Sequence, residues 1–184
     1  MIDPAAHAAD LERRLAGVQS LLLDVDGVLT DGGVTLDAAG EELKTFHIRD
    51  GLGLRLWQRA GLRSGFVTGR RSGAVEARAA ELGITFLRQG VTDKQAVVAA
   101  ILDECGLSWE QTAFVGDDLP DLPVVRRCGL GVAVADACPE LRAAADVVTS
   151  RPGGRGAVRE LVERLLVARG AWQAAVAGAT GGTA

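Results

Sequence analysis

The chain has 184 residues and a net charge of −4, so no global basic field is present to recruit nucleic acid. Hydrophobic residues at 48% and charged residues at 24% suit one domain with a full core, and no apolar run reaches membrane-spanning length. Three cysteines, Cys105, Cys128 and Cys138, are odd in number and lack CxxC spacing, which disfavours a disulfide framework or zinc knuckle and points to a reduced, cytoplasmic setting.

Residues 3–17 read as a short amphipathic helix without a signal-peptide core. SLLLDV (20–25) is a short apolar run that fits a strand buried on both faces. GGVTLDAAGEELKTFHI (32–48) alternates Val34 and Leu36, then Leu43 and Phe46, about the turn DAAGE, and predicts a β-hairpin. DGLGLRLWQRAG (50–61) sets Leu52, Leu56, Trp57 and Ala60 at helical spacing, with Gly61 as the stop. SGFVTG (64–69) is a second buried strand, AVEARAAELG (74–83) a helix ended by Gly83, and ITFLR (84–88) a third strand. DKQAVVAAILDECG (93–106) opens on Asp93 as N-cap and stops at Gly106. TAFVGDD (112–118) is a fourth strand, running into aspartates. A short helix (122–129), a strand (130–135), a helix (139–145), a short strand (146–150) and a last helix (156–170) follow. The organisation expected is an N-terminal helix (1–17), one α/β domain (18–170) and a disordered tail rich in small residues (171–184).

Strands alternating with helices at this spacing give right-handed βαβ units and a doubly wound, Rossmann-like parallel sheet, with the hairpin inserted after the first strand. Such sheets bind ligands beyond the carboxyl ends of their strands. The polar groups gather there: Asp24 and Asp26 after the first strand, Thr68 and Gly69 after the second, Asp117 and Asp118 after the fourth, and Lys94 opening a helix near the same edge. Buried carboxylates are costly unless paired, hydrogen-bonded or bound to a metal. Crowded oxygen ligands select Mg²⁺ over zinc or copper. A metal, an ammonium, a hydroxyl and backbone N–H groups together clamp the oxygens of a transferring phosphoryl group. One carboxylate can then act as nucleophile, and another can exchange protons with leaving alcohol and water. Eighteen of the twenty cationic residues are arginine; the only lysines are Lys44 and Lys94. A retained lysine marks either a need for a compact charge or chance.

DVDGVLT (24–30), VTGR (67–70), Lys94 and GDDLPD (116–121) resemble, in order and interval, the four motifs of the haloacid dehalogenase superfamily. The resemblance implies Asp24 as nucleophile and metal ligand, and Asp26 as general acid/base with its main-chain carbonyl on the metal. It implies Thr68, Gly69 and Lys94 on the phosphoryl oxygens, Asp117 as a further Mg²⁺ ligand, Asp118 near substrate, and Asp121 orienting Lys94. The intervals between motifs leave no room for a cap domain, so the open site needs another cover. The exposed hairpin is too small to stand alone, and hairpins from several subunits closing over neighbouring sites would provide that cover.

GEELKTFHIRDGLGLRL (40–56), TGRRSGAVEARAAELGI (68–84), GVAVADACPELRAAADVVT (131–149) and GGRGAVRE (153–160) are similar to the capless, tetrameric 3-deoxy-D-manno-octulosonate 8-phosphate (KDO 8-phosphate) phosphatases, over about residues 18–168. The position of His47 is often asparagine in that family. The resemblance implies a homotetrameric, Mg²⁺-dependent phosphomonoesterase acting on a small sugar-acid phosphate, with no nucleic acid or membrane partner. The loop of His47, Ile48, Arg49, Asp50 and Gly51, with Arg55, Arg70 and Arg78, would contact the sugar acid, as arginine forks bind carboxylates. Arg155, behind a Gly153–Gly154 hinge, would swing into a neighbouring site and assist product release.

Competing functions weigh less. An EF-hand around Asp24 lacks its ligands, having Val28 and Thr35 at the required positions. Neither HExxH nor GxSxG occurs. A phosphatase for a related acid, such as 2-keto-3-deoxynononate 9-phosphate, a phosphotransferase, and a catalytically silent regulatory relative all remain open. The last is disfavoured by retention of both Asp24 and Asp26.

Overall fold

The computed structural model describes residues 4–180. The chain runs α1 (Pro4–Gly17), β1 (Ser20–Leu23), then a small hairpin of β2 (Thr35–Leu36) and β3 (Glu42–Leu43). Next come α2 (Ile48–Arg59), β4 (Arg63–Val67), α3 (Gly73–Leu82), β5 (Phe86–Arg88) and α4 (Lys94–Cys105). β6 (Thr112–Gly116), α5 (Leu122–Val125), β7 (Leu130–Ala133), α6 (Pro139–Ala144) and β8 (Val147–Val148) follow, and α7 (Ala157–Ala168) and α8 (Trp172–Ala179) close the chain.

Six strands form one sheet in the order β5-β4-β1-β6-β7-β8, every pair parallel. Leu21, Leu22 and Leu23 of central β1 are fully buried, as both faces of a parallel sheet require. The chain starts in the middle, winds out through β4 to β5, then crosses back to β6 on the other side of β1. Strand order therefore reverses at β1, and the crevice beyond its carboxyl end is the topological switch point. Helix stops fall where glycine was read as the signal: Gly83 and Gly106 take left-handed caps at φ +66° and +65°. The Asp93 carboxylate accepts from the Ala96 N–H at 3.0 Å, as an N-cap should.

Four expectations need correction. The segment at 47–51 is not a loop. His47 is the extended N-cap residue of α2, and Ile48 to Gly51 form its first turn. The buried face of α2 carries Asp50, Gly51, Gly53, Leu54, Leu56 and Trp57, so Leu56 and Trp57 are buried as their spacing predicts, whereas Leu52 and Ala60 lie exposed. The N-terminal part of this face is built on glycines, which a pattern of large apolar residues does not show. A Cβ at Gly51 would land on the Arg78 guanidinium, and one at Gly53 would press the Arg159 backbone at 3.2 Å.

The Gly153–Gly154 pair is a close-packing segment rather than a free hinge. A Cβ at Gly153 would overlap the Gly27 carbonyl, and the Gly154 N–H donates to the Val28 carbonyl at 2.9 Å. The expected disordered tail is a helix over Trp172–Ala179, where Trp172 lies 5.3 Å beneath the Arg159 guanidinium. Residues 181–184, also assigned to that tail, lie outside the described residues.

Candidate active site

The Leu21–Leu23 run ends at the switch point, and the main-chain N–H of Asp24 still bonds to the Val115 carbonyl of β6 at 3.0 Å. The Asp24 side chain thereby leaves the sheet at a fixed position. It enters a cleft of about 340 Å³ lined by Asp26, Thr68, Gly69, Arg70, Lys94, Asp117, Asp118 and Asp121 among others. Three strand ends and the first turn of α4 supply these groups, so the cleft requires the completed sheet.

Lys94 sits at the centre of the charges. Its ammonium lies 2.7 Å from Asp24 and 2.6 Å from Asp121. Burial works against that charge, but the two carboxylates outweigh it and hold the ammonium protonated. Asp121 has both oxygens committed, one to Lys94 and the other to the Asp117 N–H at 3.0 Å. A Cβ at Gly116 would come within 2.5 Å of the Asp121 Cβ, so the glycine of GDD makes room for this buttress.

Asp24, Asp117 and Asp121 bring carboxylate oxygens within 4.8 Å of one another around a single ammonium. Burial pushes the Asp24 carboxyl up to about 6, Lys94 pulling it down and Asp121 adding to the rise. Asp117 goes to about 8, through burial and the charges of Asp24 and Asp121. The cluster is short of positive charge, and its donors are hard oxygens, so it fits a divalent cation such as Mg²⁺. With Asp121 occupied, Asp24 and Asp117 are the side chains left to ligate one. Gly27, at φ +91°, leaves space that a Cβ would take from the Asp117 carboxylate.

Asp26 faces the same cleft from two residues on. One of its oxygens pairs with the Lys44 ammonium, and the other lies 3.4 Å from the Thr68 hydroxyl. The Thr68 oxygen also accepts from the Arg70 N–H at 3.2 Å. Asp118 is exposed at the rim, where its carboxylate caps the following turn through the Leu119 N–H.

The remaining predicted substrate residues do not line this chain's own cleft. Arg55 and Arg78 share a separate cavity with Ile48 and Gly51, each within reach of Glu81. Arg49 lines another with Arg151 and Arg159. Arg155 lies on the surface, 3.4 Å from Asp31. Asp50 is buried and engaged: its two oxygens accept from the Gly156 N–H at 3.1 Å and the Arg159 N–H at 2.7 Å. It caps the start of α7. The imidazole Nδ1 of His47 is 3.7 Å from that carboxylate. Two groups given no role in the sequence reading do reach the site, Lys44 on Asp26 and Glu42 on Arg70. Both lie in the family-like stretch 40–56 without a role assigned there, and the scarcity of lysine was a further signal for the first.

The chain is 46% identical over 163 residues to the 3-deoxy-D-manno-octulosonate 8-phosphate phosphatase KdsC of Escherichia coli (strain K12), covering 89% of this chain and 87% of that protein. The chain belongs to the KDO 8-phosphate phosphatase family. Residues 83–161 also match the family described as haloacid dehalogenase-like hydrolase. Among KDO 8-phosphate phosphatases of known structure, that of Moraxella catarrhalis, solved with magnesium, phosphate and KDO, superposes with a TM-score of 0.90. It is 37% identical, over 92% of this chain and 97% of that one. The Yersinia pestis KDO 8-phosphate phosphatase gives a TM-score of 0.88 at 44% identity, over 89% of each chain.

Proposed function

We propose that the chain is a magnesium-dependent phosphomonoesterase that hydrolyses KDO 8-phosphate to KDO and phosphate through an aspartyl-phosphate on Asp24. The observation that carries the reading is the paired set at the switch point, Asp24 on Lys94 and Asp26 on Thr68, in a chain of this family. Asp24 attacks phosphorus, while Thr68, Gly69 and Lys94 hold the equatorial oxygens. Asp26 gives its proton to the departing sugar oxygen, then takes one from the water that opens the phosphoenzyme. Asp121 keeps Lys94 aimed. Asp24, Asp117 and the main-chain carbonyl of Asp26 would hold Mg²⁺, whose charge offsets that of the phosphoryl oxygens.

The same reading makes the enzyme a cytoplasmic homotetramer, supported by three free cysteines and by the apolar hairpin residues Val34, Leu36 and Leu43 standing in solvent. His47, Ile48, Arg49, Gly51, Arg55 and Arg78, outside their own cleft, would then serve a neighbouring copy's sugar, with Arg155 beside them. Arg70, at the rim of its own cleft, would bind the sugar acid there.

The test is a kcat/KM comparison over a panel of sugar phosphates, with and without EDTA, on wild type and Asp24→Asn. KDO 8-phosphate is expected to lead, with no turnover after chelation or in the variant, which still folds. A lead for 2-keto-3-deoxynononate 9-phosphate would move the substrate; phosphate release by Asp24→Asn at the wild-type rate would remove the nucleophile.

A further inference from the structure

The two lysines of an arginine-rich chain each end on one of the two aspartates of the first-strand loop. Lys94 reaches Asp24, and Lys44 reaches Asp26. Lys44 follows directly on β3 of the hairpin. Its side chain is only 1% exposed, although Leu43 and Thr45 on either side are open to solvent. Glu42, two residues back on the same face, lies 3.3 Å from the Lys44 ammonium and accepts from Arg70 at 2.7 Å. Burial works against the Glu42 charge, yet the Arg70 and Lys44 hydrogen bonds hold its carboxyl below the usual range. The run Arg70, Glu42, Lys44, Asp26, Thr68 therefore crosses the cleft mouth as one chain of polar contacts.

An isolated two-stranded hairpin is marginal in water. Pinned by these pairs, it delivers a buried ammonium to one oxygen of Asp26 while Thr68 faces the other. Both oxygens are thereby oriented, and proton transfer depends first on geometry.

We propose that Lys44 is the positioning residue for Asp26, and that the Glu42–Arg70 pair clasps the hairpin so that Lys44 can reach it. This deepens the phosphatase reading and rests on it. As the Asp24 oxygen bonds to phosphorus and the ester P–O bond breaks, the ester oxygen takes the proton from the Asp26 carboxyl. The resulting carboxylate lies against Lys44. When water attacks phosphorus and the Asp24–phosphorus bond breaks, that water's proton returns to Asp26. Lys44 takes no part in either transfer and holds the carboxyl in line for both.

The experiment compares Lys44→Met with wild type on two esters, KDO 8-phosphate (or any alkyl phosphate the enzyme accepts) and p-nitrophenyl phosphate. An alkyl leaving group needs the proton from Asp26, whereas nitrophenolate departs without it. The expected result is a fall in alkyl kcat/KM of about tenfold or more, with a similar fall in the alkyl-to-aryl ratio of kcat/KM, a quantity set before water opens the phosphoenzyme that both esters share. Thermal melting reports folding, and Lys44→Gln repeats the test should methionine unseat the hairpin. Equal losses of kcat/KM on both esters, or no loss on either, would overturn the inference. Failure of wild type on KDO 8-phosphate would instead overturn the substrate reading, and the Lys44 ratio is still measured on the alkyl phosphate it accepts.

Discussion

At the scale of single residues, the carboxyls of Asp24 at about 6 and Asp117 at about 8 describe a site that lacks a cation's worth of charge. A carboxyl whose pKa rises on folding keeps a proton that the unfolded chain releases. Stability of chelated protein is therefore full below the ordinary 3.8 and falls as pH climbs through about 8. Magnesium needs the deprotonated ligand, so its binding releases that proton and strengthens as pH rises through the same window. Melting curves across a buffer series, with EDTA and with Mg²⁺, should show the chelated Tm falling toward higher pH while the increment from Mg²⁺ grows. An increment independent of pH would contradict the electrostatic account. The clustered carboxylates were legible in the sequence because an apolar strand running into paired aspartates sets charge where only a cation or a close partner makes it tolerable. Lys44 stood out as a rare residue type within a family-like stretch, but its role did not, because its partner Asp26 lies eighteen residues earlier and meets it only when the hairpin folds back.

At the scale of elements, Asp50 shows how a family motif can carry structure. The carboxylate opens α2 and also caps α7, across more than a hundred residues of chain. Burial pushes its pKa up, and the two backbone N–H donors pull it back. Asp50→Ala should cost about 1–2 kcal/mol of stability, the usual range for a lost helix cap, and lower Tm in a thermal melt. Because Asp50 is outside the cleft, kcat on p-nitrophenyl phosphate should change far less than the melt does. A large loss of kcat with an unchanged Tm would return Asp50 to the substrate. Helices ending at glycine and strands ending at aspartate were predictable, since local backbone preference sets them. The α8 helix was not, because an alanine-rich segment becomes a helix here by packing Trp172 against Arg159.

At the scale of the whole molecule, the hairpin joins two surfaces. Lys44 and Glu42 bind it to its own cleft, while Leu36 at 59% exposure and Ile48 at 77% remain uncovered. Large apolar side chains left in solvent on the hairpin and on the first turn of α2 indicate an interface. Leu36→Glu is expected to shift the protein to smaller species in light scattering, and to depress kcat/KM for the sugar acid more than for p-nitrophenyl phosphate. A wild-type monomer at micromolar concentration would remove the tetramer and, with it, the service of Arg55 and Arg78 to a neighbouring cleft.

The sequence by itself determined the alternation of strands and helices, the rim where the aspartates gather, and the chemistry of a hard cation with a phosphate ester. Those properties follow from local periodicity and from the cost of burying charge, both readable along the chain. Only the tertiary structure decided which face of α2 is buried, that Asp50 is a cap, that Gly153 lies against Gly27, and that Lys44 meets Asp26. Each of these depends on two segments far apart in the chain coming within a few ångströms, and steric fit of that kind leaves no periodic trace in a sequence.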